Sequence, residues 1–295
     1  MQRVEREIER LIKEINYDEV TRLFGMLFGG KRLRAKLILK IADSHEKAPL
    51  LAAIVELIHG ASLLHDDVID EATLRRGVAS VNATDGSKTA VMLGDILYSK
   101  AFTELVSFDK EIARIIASSV TALSKGEMMD VKMADEFNSD EEKYLDMLYL
   151  KTATLIEASA EAAAILAGKD SHSHALYGKN LGLSFQIIDD ILDITSDEAT
   201  LGKPAMNDFV EGKCTLPYIY LYKVLNDDDK QKLLSLHAKA LSEQEALWIK
   251  GKMHEHKTVE KSFELARKLS GEAMNAVSED VELVNILQTM IKRSY

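Results

Sequence analysis

The chain has little of what would cross-link a fold or interrupt its helices. Cys214 is the one cysteine in 295 residues, which excludes an internal disulfide framework. Only three prolines occur, and no Pro-rich or low-complexity linker divides the chain. Basic runs of useful length are also missing. With 37 Lys and Arg against 48 Asp and Glu, the net charge is −11, which would repel the phosphates of a nucleic acid. No uninterrupted apolar stretch reaches the roughly 18 residues expected of a membrane span, so the sequence predicts no transmembrane segment. An internal apolar tunnel for a lipid would leave no such mark. The opening MQRVEREIERLIKEI is a charged amphipathic helix rather than a secretory signal, and the cytoplasm is the expected compartment.

What the chain does have is apolar residues, 46% of the total, at helical spacing almost throughout, as in Leu181, Phe185, Ile188 and Leu192. This predicts an all-α protein of long helices with a sizeable core, read as a single domain over residues 1–295.

Two acidic motifs organise it, Asp66-Asp67-Val68-Ile69-Asp70 and Asp189-Asp190-Ile191-Leu192-Asp193, each following an apolar run. Helical spacing gathers the three carboxylates of each motif over a narrow sector. Two carboxylates about 5 Å apart repel by roughly 3 kcal/mol at an effective dielectric of about 20, so cations are required. The ligands are all oxygen, with no Cys or His pattern beside them, which predicts Mg²⁺. That ion takes few protein carboxylates and completes its shell with substrate phosphates, so a phosphorylated substrate follows. A single such motif could be no more than a solvated acidic helix end. Its repetition in similar apolar surroundings argues otherwise.

Along the chain, Gly29-Gly30-Lys31-Arg32-Leu33-Arg34 places cations at a helix N-terminus, which is unfavourable unless an anion binds there. Pro49 starts a helix running from Leu50 to about Ala72. On it His59 lies near the Asp66 stripe, and the small Ala61 and Ser62 sit one turn before the carboxylates, leaving a gap. Arg75 and Arg76 follow in a loop, free to grip a diphosphate or to pair with Asp70 or Glu71. Helices are predicted over about 87–106 and 109–133. Asn138-Ser139 with Glu142 reads as a capping box for a helix reaching about Ala167, interrupted by the polar Lys151-Thr152. A loop of roughly 16 residues carrying Lys203 and Lys213 follows the second motif and suggests a lid. Asp227-Asp228-Asp229 after Asn226 fits a helix cap and first turn, and Trp248 is assigned to the core.

In combination, GGKRLR, HDDVID with RRG, KT, FQIIDD with ILD, and LGKP with GKCTLP resemble the trans-isoprenyl diphosphate synthases, and the resemblance spans nearly the whole chain. It implies the isoprenoid synthase fold, a bundle of long helices around a central cavity, and a homodimer. It also implies Mg²⁺ on Asp66, Asp67, Asp70, Asp189, Asp190 and Asp193. Isopentenyl diphosphate would be bound by Lys31, Arg34, His59 and Arg76, and the allylic diphosphate by Arg75, Lys151, Lys203 and Lys213. Thr152 and Gln186 would face the developing allylic cation.

One helical turn rises about 5.4 Å, close to one isoprene unit. In the family, small residues before the first motif accompany long products, so Ala61 and Ser62 predict a product of roughly octaprenyl length. A geranylgeranyl synthase closed deeper in the bundle, or a non-catalytic subunit of a heteromeric synthase, are the alternatives. Three departures bear on loop rigidity and lid motion: Ala35 and Ala79 where the family usually has proline, and Met206 where glycine is usual.

Overall fold

The computed structural model describes residues 1–27, 32–42, 45–75, 77–196 and 206–292. Lys31, Arg76 and Lys203, with the glycine pair and the LGKP segment, lie outside the described residues. As the periodicity requires, nearly all of the described chain is helical. It divides into two compact units, 1–121 with 155–175 and 122–154 with 176–295.

The first unit is built on α4, Ala48–Ile69, packed by α1 (Gln2–Glu14), α3 (Leu33–Ala42), α5 (Val81–Asp85) and α6 (Ser87–Leu105). Pro49 lies in the first turn of α4, where its missing N–H leaves no acceptor unserved. The helix stops at Ile69, three residues before the predicted Ala72. Glu71 adopts left-handed φ of 49°, and the N–H of Ala72 closes on the carbonyl of Asp67 at 2.9 Å. Asp70 is therefore the capping residue of its motif rather than part of the helix. Contrary to the expectation from composition, α4 is long and apolar enough to cross a membrane. However, 67% of its apolar window is buried, as in the core helix of a globular unit. The loop predicted after it contains a two-residue antiparallel ladder, Leu74–Arg75 with Val78–Ala79, turned by Gly77 at φ 78°.

The second unit holds two apolar clusters, one around Tyr144, Ile187, Ile191 and Ile219 and one around Phe209, Tyr218, Leu233 and Ile249. Its helices include α8 (Glu141–Leu148) and, after α9 (Thr154–Ala167), which lies chiefly in the first unit, most of α10 (Ser171–Thr195). The predicted capping box at Asn138 is displaced by two residues. Asp140 is the cap, accepting the N–H groups of Glu142 at 2.9 Å and Lys143 at 3.1 Å, while Asn138 holds Asp140. Between α8 and α9 the chain makes a π turn at Tyr149–Ala153. After Asn207–Val210 (α11) come Leu216–Val224 (α12) and Asp227–Leu236 (α13). Asn226 caps α13 through the N–H of Asp229, as the acidic run predicted. Trp248 is half-buried and packs against the edge of the second cluster instead of lying fully within the core, with the Lys232 ammonium 4.2 Å from its ring centroid.

Candidate active site

In the first unit the basic motif is organised by a residue the sequence reading passed over. Glu56, 4% exposed on the otherwise apolar α4, accepts the Ala35 N–H at 3.1 Å and the Arg32 guanidinium at 2.9 Å. Glu5 lies on the other side of Arg32 at 3.3 Å. Ala35 stands where proline is usual, and only a non-proline residue can donate this N–H. Arg34 is pulled below the usual arginine range by burial, against the opposing Glu56 charge. Its Nε is buried and has no hydrogen-bond partner among the described residues. A buried cationic donor without a partner is costly and suits an incoming anion.

The first aspartate motif is graded in depth, with Asp66 half-buried, Asp67 at 2% exposure and Asp70 exposed. The Arg75 Nε lies 2.7 and 2.8 Å from the two oxygens of Asp67, so Arg75 pairs there and not with Asp70 or Glu71, while the same expectation for Arg76 lies outside the described residues. His59 is half-buried two turns before Asp66, and its carbonyl accepts the Ser62 hydroxyl at 2.9 Å. Ala61 is fully buried and Ser62 half-buried.

In the second unit, Lys151, Thr152, Gln186, Asp190 and Lys213 all line one cavity of about 140 Å³. The π turn brings Lys151 and Thr152 there, since one extra residue per turn re-aims side chains within a helix. Gly126 makes that turn sterically possible. A Cβ at this position would lie 2.3 Å from the Lys151 nitrogen, so any side chain would displace the segment. Burial alone would lower the Lys151 pKa. Asp130 and Glu127, the latter at 3.0 Å, overcome that and hold it above the usual lysine range.

Asp190 lies at the centre of a hydrogen-bonded set. It accepts the Tyr144 hydroxyl and, at 2.9 Å, the Gln186 amide, whose oxygen accepts the Thr152 hydroxyl at 3.2 Å. Burial first, then the Asp208 charge, push the Asp190 carboxyl up to about 8, with Asp189 adding to the push and the two hydrogen bonds opposing it. Burial and the Asp190 carboxylate keep the Tyr144 phenol well above its ordinary range. Asp193 is 3% exposed and accepts the Asp208 N–H at 3.2 Å, while Asp189 is exposed. Lys213 pairs with Glu211 at 2.9 Å. Among the described residues no three acidic, His or Cys side chains close into a metal cage. The donor set nonetheless fits a hard divalent ion that keeps waters and substrate oxygens in its shell. It is oxygen only, and Asp190 is a buried carboxylate among other acids whose hydrogen-bond partners Tyr144 and Gln186 are both neutral.

Residues 18–249 match the polyprenyl synthetase family. The chain belongs to that family. A short chain isoprenyl diphosphate synthase of Methanothermobacter thermautotrophicus is 36% identical over 220 residues, 70% of this chain and 68% of the relative. The octaprenyl pyrophosphate synthase of Helicobacter pylori superposes with a TM-score of 0.93 at 43% identity, over 98% of this chain and 97% of that one. A polyprenyl synthase of Caulobacter crescentus, solved with calcium and isoprenyl diphosphate, gives 0.85 at 29% identity over 99% and 94%. The chain is thus a prenyltransferase of the isoprenoid synthase fold, in a family whose members make products of several lengths.

Glu56, Glu127, Asp130, Tyr144 and Asp208 were not read as site residues from the sequence. Glu56 carried a signal, as the lone acid of the apolar stretch IVELIHG, and Glu127 and Asp130 a weaker one, as the two acids of GEMMDVKM. Tyr144 had none, because its partner is 46 residues away.

Proposed function

We propose that this chain, acting as one synthase domain over residues 1–295, condenses isopentenyl diphosphate onto an allylic diphosphate primer such as farnesyl diphosphate. The observation that carries the reading is the single cavity shared by Lys151, Thr152, Gln186, Asp190 and Lys213. Arg34, with its unpartnered buried nitrogen, supports a diphosphate site in the first unit together with Lys31, His59 and Arg76. In this reading Asp66, Asp67, Asp70, Asp189, Asp190 and Asp193 hold Mg²⁺, in keeping with the calcium-bound relative. When bound, the ion withdraws electrons from the diphosphate and eases its departure from the allylic carbon.

The protein's own groups do the rest. Arg75, Lys151, Lys203 and Lys213 hold the leaving diphosphate, and cations fixed there stabilise the charge that develops on it. The Thr152 hydroxyl oxygen and the Gln186 carbonyl offer dipoles toward the allylic cation. The buried apolar wall around Met133, Met147 and Leu148 keeps out the water that would quench it. Attack by the isopentenyl double bond and loss of a proton complete a five-carbon extension.

Ala61 and Ser62 support a long-chain product of roughly octaprenyl length. The short-chain relative favours the alternative of a shorter product. Exposed apolar residues along α6, Met92, Phe102 and Val106, support a homodimer. The enzyme would work in the cytoplasm and deliver its lipid to a membrane.

Incubation of the purified chain with Mg²⁺, farnesyl diphosphate and radiolabelled isopentenyl diphosphate tests the reading. A product ladder ending near eight units supports it, and a stop at four units transfers length control deeper. No incorporation would favour the non-catalytic subunit. Ser62→Phe, at a half-buried position that accepts bulk better than fully buried Ala61, should shorten the product.

A further inference from the structure

The rotation of an aspartate carboxylate about its last bond is broad and weakly set by rotamer preference. Its direction is therefore fixed by whatever donates to it. A carboxylate that holds a metal ion is ionised and only accepts, so in that state Tyr144 must donate to Asp190 and Gln186 must turn its NH₂ group the same way. That leaves the Gln186 oxygen facing Thr152, whose hydroxyl can turn to donate. The orientation of all four groups follows from this one constraint.

Tyr144 is well placed to set it. Its ring is 2% exposed and packed in the cluster with Met133, Ile187 and Ile191, and its helix is held at the start by the Asp140 cap. The hydroxyl is thus delivered by a side chain that cannot swing away.

We propose that Tyr144 is a positioning residue for the condensation. Its hydroxyl fixes the Asp190 carboxylate toward Mg²⁺ and, through Asp190 and Thr152, sets the face that the Gln186 amide turns to the cavity. The proposal rests on the reading of Asp190 as a metal ligand. Nothing in the reaction requires Tyr144 to touch substrate. Groups that orient a ligand in this way typically change metal affinity or activity by about 10–100-fold when removed.

Tyr144→Phe removes one oxygen and leaves the ring. It should lower kcat about tenfold and raise the Mg²⁺ concentration for half-maximal rate about tenfold, with KM for isopentenyl diphosphate unchanged. Tyr177→Phe is the matched control, since that buried tyrosine donates at 2.9 Å to the Leu283 carbonyl. It should lower Tm while leaving the Mg²⁺ midpoint alone.

A second readout needs no turnover. The rise in Tm on adding Mg²⁺ with inorganic diphosphate should be smaller in Tyr144→Phe than in the parent and Tyr177→Phe. Equal Mg²⁺ responses in the two variants, by either readout, would overturn the proposal. Should the parent incorporate no isopentenyl units yet gain Tm from Mg²⁺ and diphosphate, the condensation reading fails while the Tm comparison still decides Tyr144. No Tm response in the parent would overturn both. If Tyr144→Phe does not fold, Tyr144→Met removes the same donor with a flexible filler and carries the same expectations.

Discussion

The two aspartate motifs are nearly identical in sequence, yet the fold compensates their buried carboxylates in opposite ways. Asp67 is balanced by a permanent cation, the Arg75 fork, at the end of a helix whose last aspartate is exposed. Asp190 lies within a continuous helix, is bound by the neutral Tyr144 and Gln186, and has Asp208 and Asp189 as like charges. The buried carboxylate of the first motif is therefore compensated without a metal. On the proposed reading the second depends more on a divalent cation, because the neutral partners of Asp190 do not supply the positive charge that would hold its carboxyl ionised.

The largest effect that should separate them comes from Asp190→Asn. Activity should fall by about 10³-fold, and above pH 8, where the carboxyl pushed up to about 8 ionises, the metal-free protein should become more thermally stable, since a buried charge among acids is removed. Steady-state rates and Tm measured on one preparation check both halves. A loss of activity together with a lower Tm would mean that Asp190 is already well compensated.

Gly126→Ala should come next, with about a 10²-fold loss of kcat. The added carbon cannot sit 2.3 Å from the Lys151 nitrogen, so the π turn must shift and carry Lys151 and Thr152 with it. Comparable rates for this variant and the parent would show that the turn has slack.

Arg75→Gln tests the first motif and should cost about 1–3 kcal/mol in urea unfolding, because Asp67 stays buried after losing its cation. The same substitution should make the stability of the first unit more responsive to Mg²⁺ than in the parent.

Smallest is a chemical observation on Cys214. Burial pushes its thiol up to about 12, well above the ordinary value. Being raised in the folded chain, it favours the fold below its unfolded pKa, and that contribution is lost as pH rises toward 12. Iodoacetamide near pH 8 should therefore leave the native protein unmodified and label it only on unfolding.

Much of this architecture was legible in sequence because it is periodic or local. The helical repeat set the all-α fold, and the Asn226 cap of the Asp227-Asp228-Asp229 run required only neighbouring residues. Where helices end was harder to read. The stop after Ile69 depends on Glu71 entering a left-handed conformation that its side chain disfavours by about 1–2 kcal/mol. Met206 gives the reason glycine is usual at its position, since it adopts φ 62° while its N–H closes on the Asp193 carbonyl at 2.8 Å. The site chemistry divides along the same line. Motif residues announce themselves by spacing, whereas Glu56 and Tyr144 act across 21 and 46 residues of chain and become visible only once the helices are packed.

The central claim is that this chain uses its aspartates to bring Mg²⁺ to a condensing diphosphate. Radiolabelled isopentenyl diphosphate incorporation, followed in the purified chain as Mg²⁺ is added back after chelation, addresses it most directly. The account expects no product in the chelated protein and a saturable return of activity with Mg²⁺. Incorporation that persists without divalent metal, or none at any Mg²⁺ concentration, would contradict it.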